Sequence, residues 1–296
     1  MKPRDETVPE RLCTSLPIHG IDGHAHVFSQ ALPLSAERRY APAYDATLER
    51  YLNMLDTHGL SHGVLVQPSF LGTDNGFLLA CLDAAPQRLR GVAVIDPAMP
   101  WPDLGNWHRR GVVGVRENLI GKPLPDYRAS AWQALLALMA AHDWHLEIQV
   151  EAARLSQAIE PLVPSGVRLV IDHFGRPNPV LGLDDPGFAA LLRLGRQARH
   201  RRLWVKVSGA YRIAPHELEG DAGQARITAR ARQAFAALRE AFGLDRLLWG
   251  SDWPHTQYET SQNPATVSAH LDALSADPLV RRHLLIDTAA ELFQLR

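Results

Sequence analysis

Eight times along this chain a short run of β-branched and apolar residues gives way to a stretch with apolar residues at helical spacing. The strand-like runs are "IDGHAHVF" (21–28), "HGVLVQ" (62–67), "RGVAVID" (90–96), "GVVGVREN" (111–118), "HLEIQV" (145–150), "VRLVIDHF" (167–174), "LWVKVSG" (203–209) and "LLWGSDW" (247–253). Between them lie amphipathic stretches such as "DATLERYLNMLDTHG", "NGFLLACLDAAPQR", "SAWQALLALMAAHD", "EAARLSQAIEPLV" and "ARARQAFAALREAFG", which open on polar residues or close on glycine. Repeated βα units dictate a parallel sheet with right-handed crossovers. Eight of them predict a closed (β/α)8 barrel in the α/β class, although the interval between the third and fourth runs is short for a crossover helix. A doubly wound dinucleotide-binding sheet would need a Gly-x-Gly-x-x-Gly turn after its first strand, and the residues there are "HVFSQALPLSAERRYAP".

Length and composition agree with one barrel. The 296 residues suit a single (β/α)8 domain spanning 1–296, with residues 1–19 reading as an N-terminal arm and the helices after Asn263 finishing the chain. Hydrophobic residues make up 46% and charged residues 21%, enough for a large core. A net charge of −1 with dispersed Lys and Arg argues against nucleic acid or an anionic membrane as partner. No apolar run reaches membrane-spanning length and the first residues lack a signal-peptide core, so the expectation is a cytoplasmic protein, monomeric or homodimeric. Cys13 and Cys81 are too few for a disulfide framework and fit no metal spacing.

A barrel presents its chemistry where strands end, on the carboxyl-terminal face. His24 and His26 close the first run; on a regular strand they share one face with Asp22. With 14 His in the chain, chance alone supplies on the order of one His-x-His pair, so the spacing is weak evidence by itself. It gains weight because His173 in "VIDHFGRP" and Asp252 in "WGSDWPH" arrive at the same rim. Gln67, Asp96, Arg116, Asn118, Gln149 and Ser208 also stand at strand ends; Asp96, in "IDPAMP", reads as a turn-forming Asp-Pro.

The set "DGHAH … VIDHFGRP … KVSGAYR … WGSDWPH" resembles the amidohydrolase superfamily of distorted (β/α)8 barrels. "ERRYAP", "LVQPSFLGTDN", "GVAVIDP" and "GVRENL" are similar, more narrowly, to the branch containing 2-pyrone-4,6-dicarboxylate and sugar lactonases. The resemblance implies hydrolysis of a small anionic lactone, and the residues can supply that chemistry. Asp252 is the candidate base for water, and His24, His26 and His173 the candidate carbonyl polarisers. The branch is characteristically metal-independent, so no obligatory cofactor is expected. A mononuclear Zn²⁺ on His24, His26, His173 and Asp252 is the alternative. Gln149 occupies the strand end where a bridging ligand for a second metal would be needed.

Arginine matches carboxylates in two-pronged fashion, so Arg116, Arg176 and Arg212 are the candidate anion holders. Arg116 faces inward with no evident strand partner, which makes it the strongest of the three. Tyr40, Gln149, Asn118 and His255 are the remaining candidate substrate contacts; His255 can equally order its loop. Lys206 sits mid-strand, a poor position for a Schiff base. Two readings compete with the lactonase: a metal-dependent non-oxidative decarboxylase or amidase on the same barrel, and a non-catalytic small-anion-binding barrel. An intact Asp252 in the pocket opposes the last, because a carboxylate hinders anion binding.

Overall fold

The computed structural model describes residues 16–101, 103–197, 202–215 and 220–295; most of the expected arm, including Cys13, lies outside them. Seven of the eight strand-like runs contain a strand, and the third, 90–96, overlaps one that starts a residue earlier. The strands are β1 (Ile21–Ala25), β2 (His62–Val66), β3 (Leu89–Ala93), β4 (Val112–Asn118), β5 (His145–Gln149), β6 (Arg168–Ile171), β7 (Leu203–Lys206) and β8 (Leu247–Leu248). They pair in parallel in the order β1 to β8, as right-handed βα units require. The two-residue β8 is too short to close the ring alone. Closure comes from the residues behind it: Gly23 donates to the Trp249 carbonyl (3.1 Å), Asp252 to that of His24 (2.8 Å) and His26 to that of Trp253 (2.7 Å). The barrel is distorted at this seam, and the seam carries the candidate chemistry.

Helices α1 (Leu48–Thr57), α2 (Gly76–Ala84), α3 (Leu104–Arg109), α4 (Ser130–Ala141), α5 (Ala152–Ile159), α6 (Pro186–Arg196) and α7 (Gly220–Phe242) cover the outside. The short interval before β4 is spanned by the six-residue α3, capped by the Asp103 side chain on the Asn106 amide. After β8 come α8 (Pro264–Leu274), started by a reciprocal Asn263–Thr266 capping box, then α9 (Pro278–Arg282) and α10 (Thr288–Leu292). Among the described residues no helix is long and apolar enough to cross a membrane. Cys81 is a buried free thiol in α2.

Two apolar layers fix the position of the polar one. The larger packs the outer strand faces against the helices. The smaller fills the barrel floor with Ile21, Val64, Val66, Val92, Val113, Val170 and Leu248, sealed by Ala289, Leu292 and Phe293 from the end of the chain. Fully burying a side chain such as Phe293 is worth about 1.5–3 kcal/mol, so the tail is part of the barrel core. Above this floor the interior turns polar.

Candidate active site

Strand alternation predicts Asp22, His24 and His26 on one face, and the structure corrects this for Asp22. The β1–β2 register shifts between Asp22 and Ala25, and such a bulge rotates the residues after it. Ile21 therefore joins the barrel floor. Asp22 instead accepts from Tyr51 of α1 (3.1 Å) and from the amide (2.7 Å) and hydroxyl (2.6 Å) of Ser251. It anchors the turn before Asp252. His24 and His26 do converge, their Nε2 atoms 3.3 Å apart. His26 Nδ1 is 2.8 Å from the Val66 carbonyl and so donates to it, leaving Nε2 as an acceptor.

A second break in alternation brings Asp172 and His173 to the same centre. On a regular strand these neighbours would face opposite ways. His173 and Phe174 take φ values of 49° and 56°, in the left-handed region that such residues rarely adopt. The turn swings His173 inward, its Nδ1 2.9 Å from Ser208 Oγ, while Asp172 stays buried among charged groups. Asp252, with φ 59°, is strained in the same sense. Gly209 of "KVSGAYR" explains the backbone's close approach: at φ 59°, a Cβ there would lie 3.0 Å from Asp252 Oδ2 and 3.2 Å from His173 Nδ1.

Asp252 is fully buried. Its Oδ2 accepts from Tyr211 (2.7 Å) and from Arg212 Nε; its Oδ1 has no hydrogen-bond partner among the described residues and lies 3.9 Å from the Nε2 of both His24 and His26. Burial alone would raise its pKa, but Arg212, with His173 and His24, holds it well below the ordinary carboxylate range. Burial, His24 and Arg116 push His26 down to about 3, and burial likewise lowers His173. Burial and Lys206 oppose protonation of His24, yet Asp172 and Glu147 outweigh them and its pKa is raised. At neutral pH an ionised Asp252 thus faces two neutral imidazoles, His26 and His173.

One cleft gathers most of the residues expected from the sequence. His26, Tyr40, Arg116, Asn118, Gln149, His173, Arg176, Arg212 and Asp252 all line it. His24 does not; it forms the layer beneath His26. His255 does not either, and substrate contact is corrected for it. At φ 66° it points behind the strand end, into a small cavity with Trp249 and Trp253, its Nδ1 3.4 Å from the Tyr211 hydroxyl.

The arginines differ from expectation in their partners. Arg116 is not free: Asp172 Oδ2 is 2.9 Å from its Nε, Glu147 Oε1 is 3.3 Å away, and Gln149 also accepts from it. Asp172 escapes a sequence reading because alternation hides it behind His173, and cross-barrel pairing leaves no sequence trace. Arg212 clamps Asp252. Among the described residues only Arg176, of these three, has no carboxylate within ion-pair distance; it donates to the Arg212 carbonyl (3.2 Å). Arg39 of "ERRYAP" joins it at the rim, donating to Asn118 (3.2 Å). The Tyr40 hydroxyl, expected to donate to substrate, already donates to Glu259, so this ring serves as wall.

The donors fit a single divalent cation in part. His24, His26 and Asp252 form one compact triad and His24, Asp172 and His173 another, so the expected four-ligand set divides around His24. The unpartnered Asp252 Oδ1 and the two facing Nε2 atoms suit a zinc-type ion, which when bound would act as a Lewis acid on a carbonyl.

The amidohydrolase family model matches residues 21–295, the whole barrel. The chain belongs to the amidohydrolase family. A Pseudomonas putida structure assigned as a 2-pyrone-4,6-dicarboxylic acid hydrolase is 45% identical, with a TM-score of 0.84 over 94% of this chain and 98% of the other. An Acinetobacter baumannii structure assigned the same activity, with citric acid bound, is 36% identical, also with a TM-score of 0.84, over 93% and 98%. A 2-pyrone-4,6-dicarboxylate hydrolase from Comamonas testosteroni is 30% identical over 253 residues, 83% of this chain and 80% of the relative.

Proposed function

We propose that this chain hydrolyses a small carboxylated lactone of the 2-pyrone-4,6-dicarboxylate type. The observation that carries the reading is Asp252: buried and ionised, with one oxygen clamped by Arg212 and Tyr211 and the other unpartnered beside the imidazoles. The names and identities of the relatives support the substrate class, and citric acid bound in one of them agrees with a cleft that receives carboxylates.

In this reading the substrate carboxylates sit against Arg176 and Arg39, the two cleft arginines not paired to acids among the described residues. Asp252 Oδ1 takes a proton from water as its oxygen bonds to the lactone carbonyl carbon. With Ser208 Oγ, 2.9 Å away, as donor to His173 Nδ1, the proton of this neutral ring sits on Nε2 and steadies the oxyanion, while His26, whose Nε2 accepts, holds its place above His24. The ring C–O bond then breaks and the leaving oxygen receives the proton from Asp252. Water is consumed and no redox partner is needed.

We read the hydrolysis as needing no obligatory metal, since the cleft walls already supply positive charge through Arg176 and Arg39. Two experiments test the proposal. Panels of carboxylated lactones and aromatic carboxylic acids are assayed for ring opening and CO₂ release; ring opening is expected, and CO₂ release without it would replace the lactonase by a decarboxylase. Activity is expected to survive chelation. Loss on chelation with recovery on adding zinc would make the metal obligatory.

A further inference from the structure

Lys206 is fully buried at the end of β7, and neither it nor its partner Glu147 lines the cleft. Its ammonium is ion-paired with Glu147, lies 3.1 Å from His24 Nδ1 and 3.9 Å from Asp172 Oδ1. Glu147 Oε1 and Asp172 Oδ1 approach the same ring nitrogen, at 3.3 and 3.5 Å. Arg116 ties both acids together, and the Phe293 ring supports Lys206 from the floor, its centroid 5.6 Å away. A buried cluster of this size is costly unless its members satisfy one another. Every member here touches His24 or a residue that does.

The other side of the His24 ring is fixed as well. His26 Nδ1 donates to Val66, so His26 Nε2 accepts, and the nitrogen 3.3 Å from it, His24 Nε2, must carry the proton. His24 Nδ1 is then left to the charged cluster. A flipped ring would set carbon against Lys206 and remove the acceptor 3.1 Å from its ammonium.

Resting on the role given to His24 above, we infer that Lys206 and Glu147 are positioning residues, which lock one tautomer and one plane of the His24 ring so that Nε2 faces His26 and Asp252. Lys206 thereby acts through His24 and never meets substrate. Asp172, held by Arg116, backs the same nitrogen.

The test uses the double variant Lys206→Met/Glu147→Gln. It removes one charge of each sign and nearly preserves volume, whereas Lys206→Met alone leaves the buried Glu147 and Asp172 to share Arg116 and is at risk of not folding. Circular dichroism checks folding. Steady-state kinetics should show kcat lower by roughly 10-fold or more, as losing a charge-assisted contact to His24 implies, with KM within about threefold. In ¹⁵N-imidazole spectra recorded on the alkaline side of the His24 titration, where the ring is neutral, with His24 assigned by its loss in His24→Gln, the wild-type ring should show one fixed tautomer and the double variant averaged signals. Either a folded variant with kcat within about threefold of wild type or a His24 tautomer that stays fixed would overturn the inference. Should the wild-type chain open no lactone, the spectra alone decide, so failure of the hydrolase reading is told apart from failure of this one.

Discussion

Replacing Asp252 by Asn probes chemistry and structure at once, and the geometry separates the two effects. The variant keeps an oxygen able to accept from Arg212 Nε or from Tyr211, but it removes the charge that faces the buried guanidinium. Breaking a buried pair by losing one partner costs about 3–5 kcal/mol, and the surviving acceptor places this case near 3. For a chain of this length that corresponds to a fall in melting temperature of roughly 6 °C. The sign with pH comes from the depressed pKa of Asp252. Its stabilisation is fully present above the unfolded carboxylate value, about 3.9, and is lost as pH falls through the lower folded value. The stability gap between wild type and variant should therefore persist from pH 8 to 5 and close only in strong acid. Loss of a general base should lower kcat by about 10²–10⁴, or roughly 2.7–5.4 kcal/mol of barrier. The assay is ring opening monitored by ultraviolet absorbance at 20 °C, where both proteins are folded, beside thermal melts at three pH values. A folded Asn variant with kcat within about tenfold of wild type would refute the base assignment.

Three further outcomes are expected from the arginines and Glu117, and one from Gly209. Arg176→Met should raise KM for an acidic lactone by roughly 10-fold or more, as loss of one charge-assisted contact implies, with little change in melting temperature. Arg116→Met should mainly destabilise, because it uncovers Asp172 and Glu147, and melts read it directly. Burial pushes the Glu117 carboxyl, near the end of β4, up to about 8. A raised acid pKa penalises the folded state progressively as pH rises from about 4.3 toward that value, so Glu117→Gln should melt higher than wild type at pH 9 and equally at pH 4. Gly209→Ala forces a Cβ to within 3.0 Å of Asp252 Oδ2 at a positive φ, and should lower kcat well before it unfolds the barrel.

The architecture was legible because its signal is local. Each strand announces itself by β-branched residues, as in "HGVLVQ" and "HLEIQV", and the barrel then sends strand ends to one rim. His26, His173, Asp252 and the arginines could be named on that ground alone. The hidden part depends on departures from local regularity or on contacts across the barrel. The bulge in β1 turned Asp22 away from His24, and the left-handed residues after β6 put Asp172 and His173 on the same side. No sequence pattern reveals that Arg116, from β4, spends its charge on Asp172, 56 positions later. Lys206 looked like an isolated mid-strand lysine for the same reason: its partners come from β1, β5 and the residue after β6. His255 shows how a single positive φ removes a residue from the cleft that its neighbour Asp252 faces.

The most direct measurement is a crystal structure of Asp252→Asn soaked with a carboxylated pyrone. Carboxylates are expected on Arg176 and Arg39, with the lactone carbonyl turned toward His173 and its carbon one water molecule from the amide at position 252. A pyrone bound with its carbonyl away from His173, or with position 252 beyond a bridging water's reach, would contradict the mechanism.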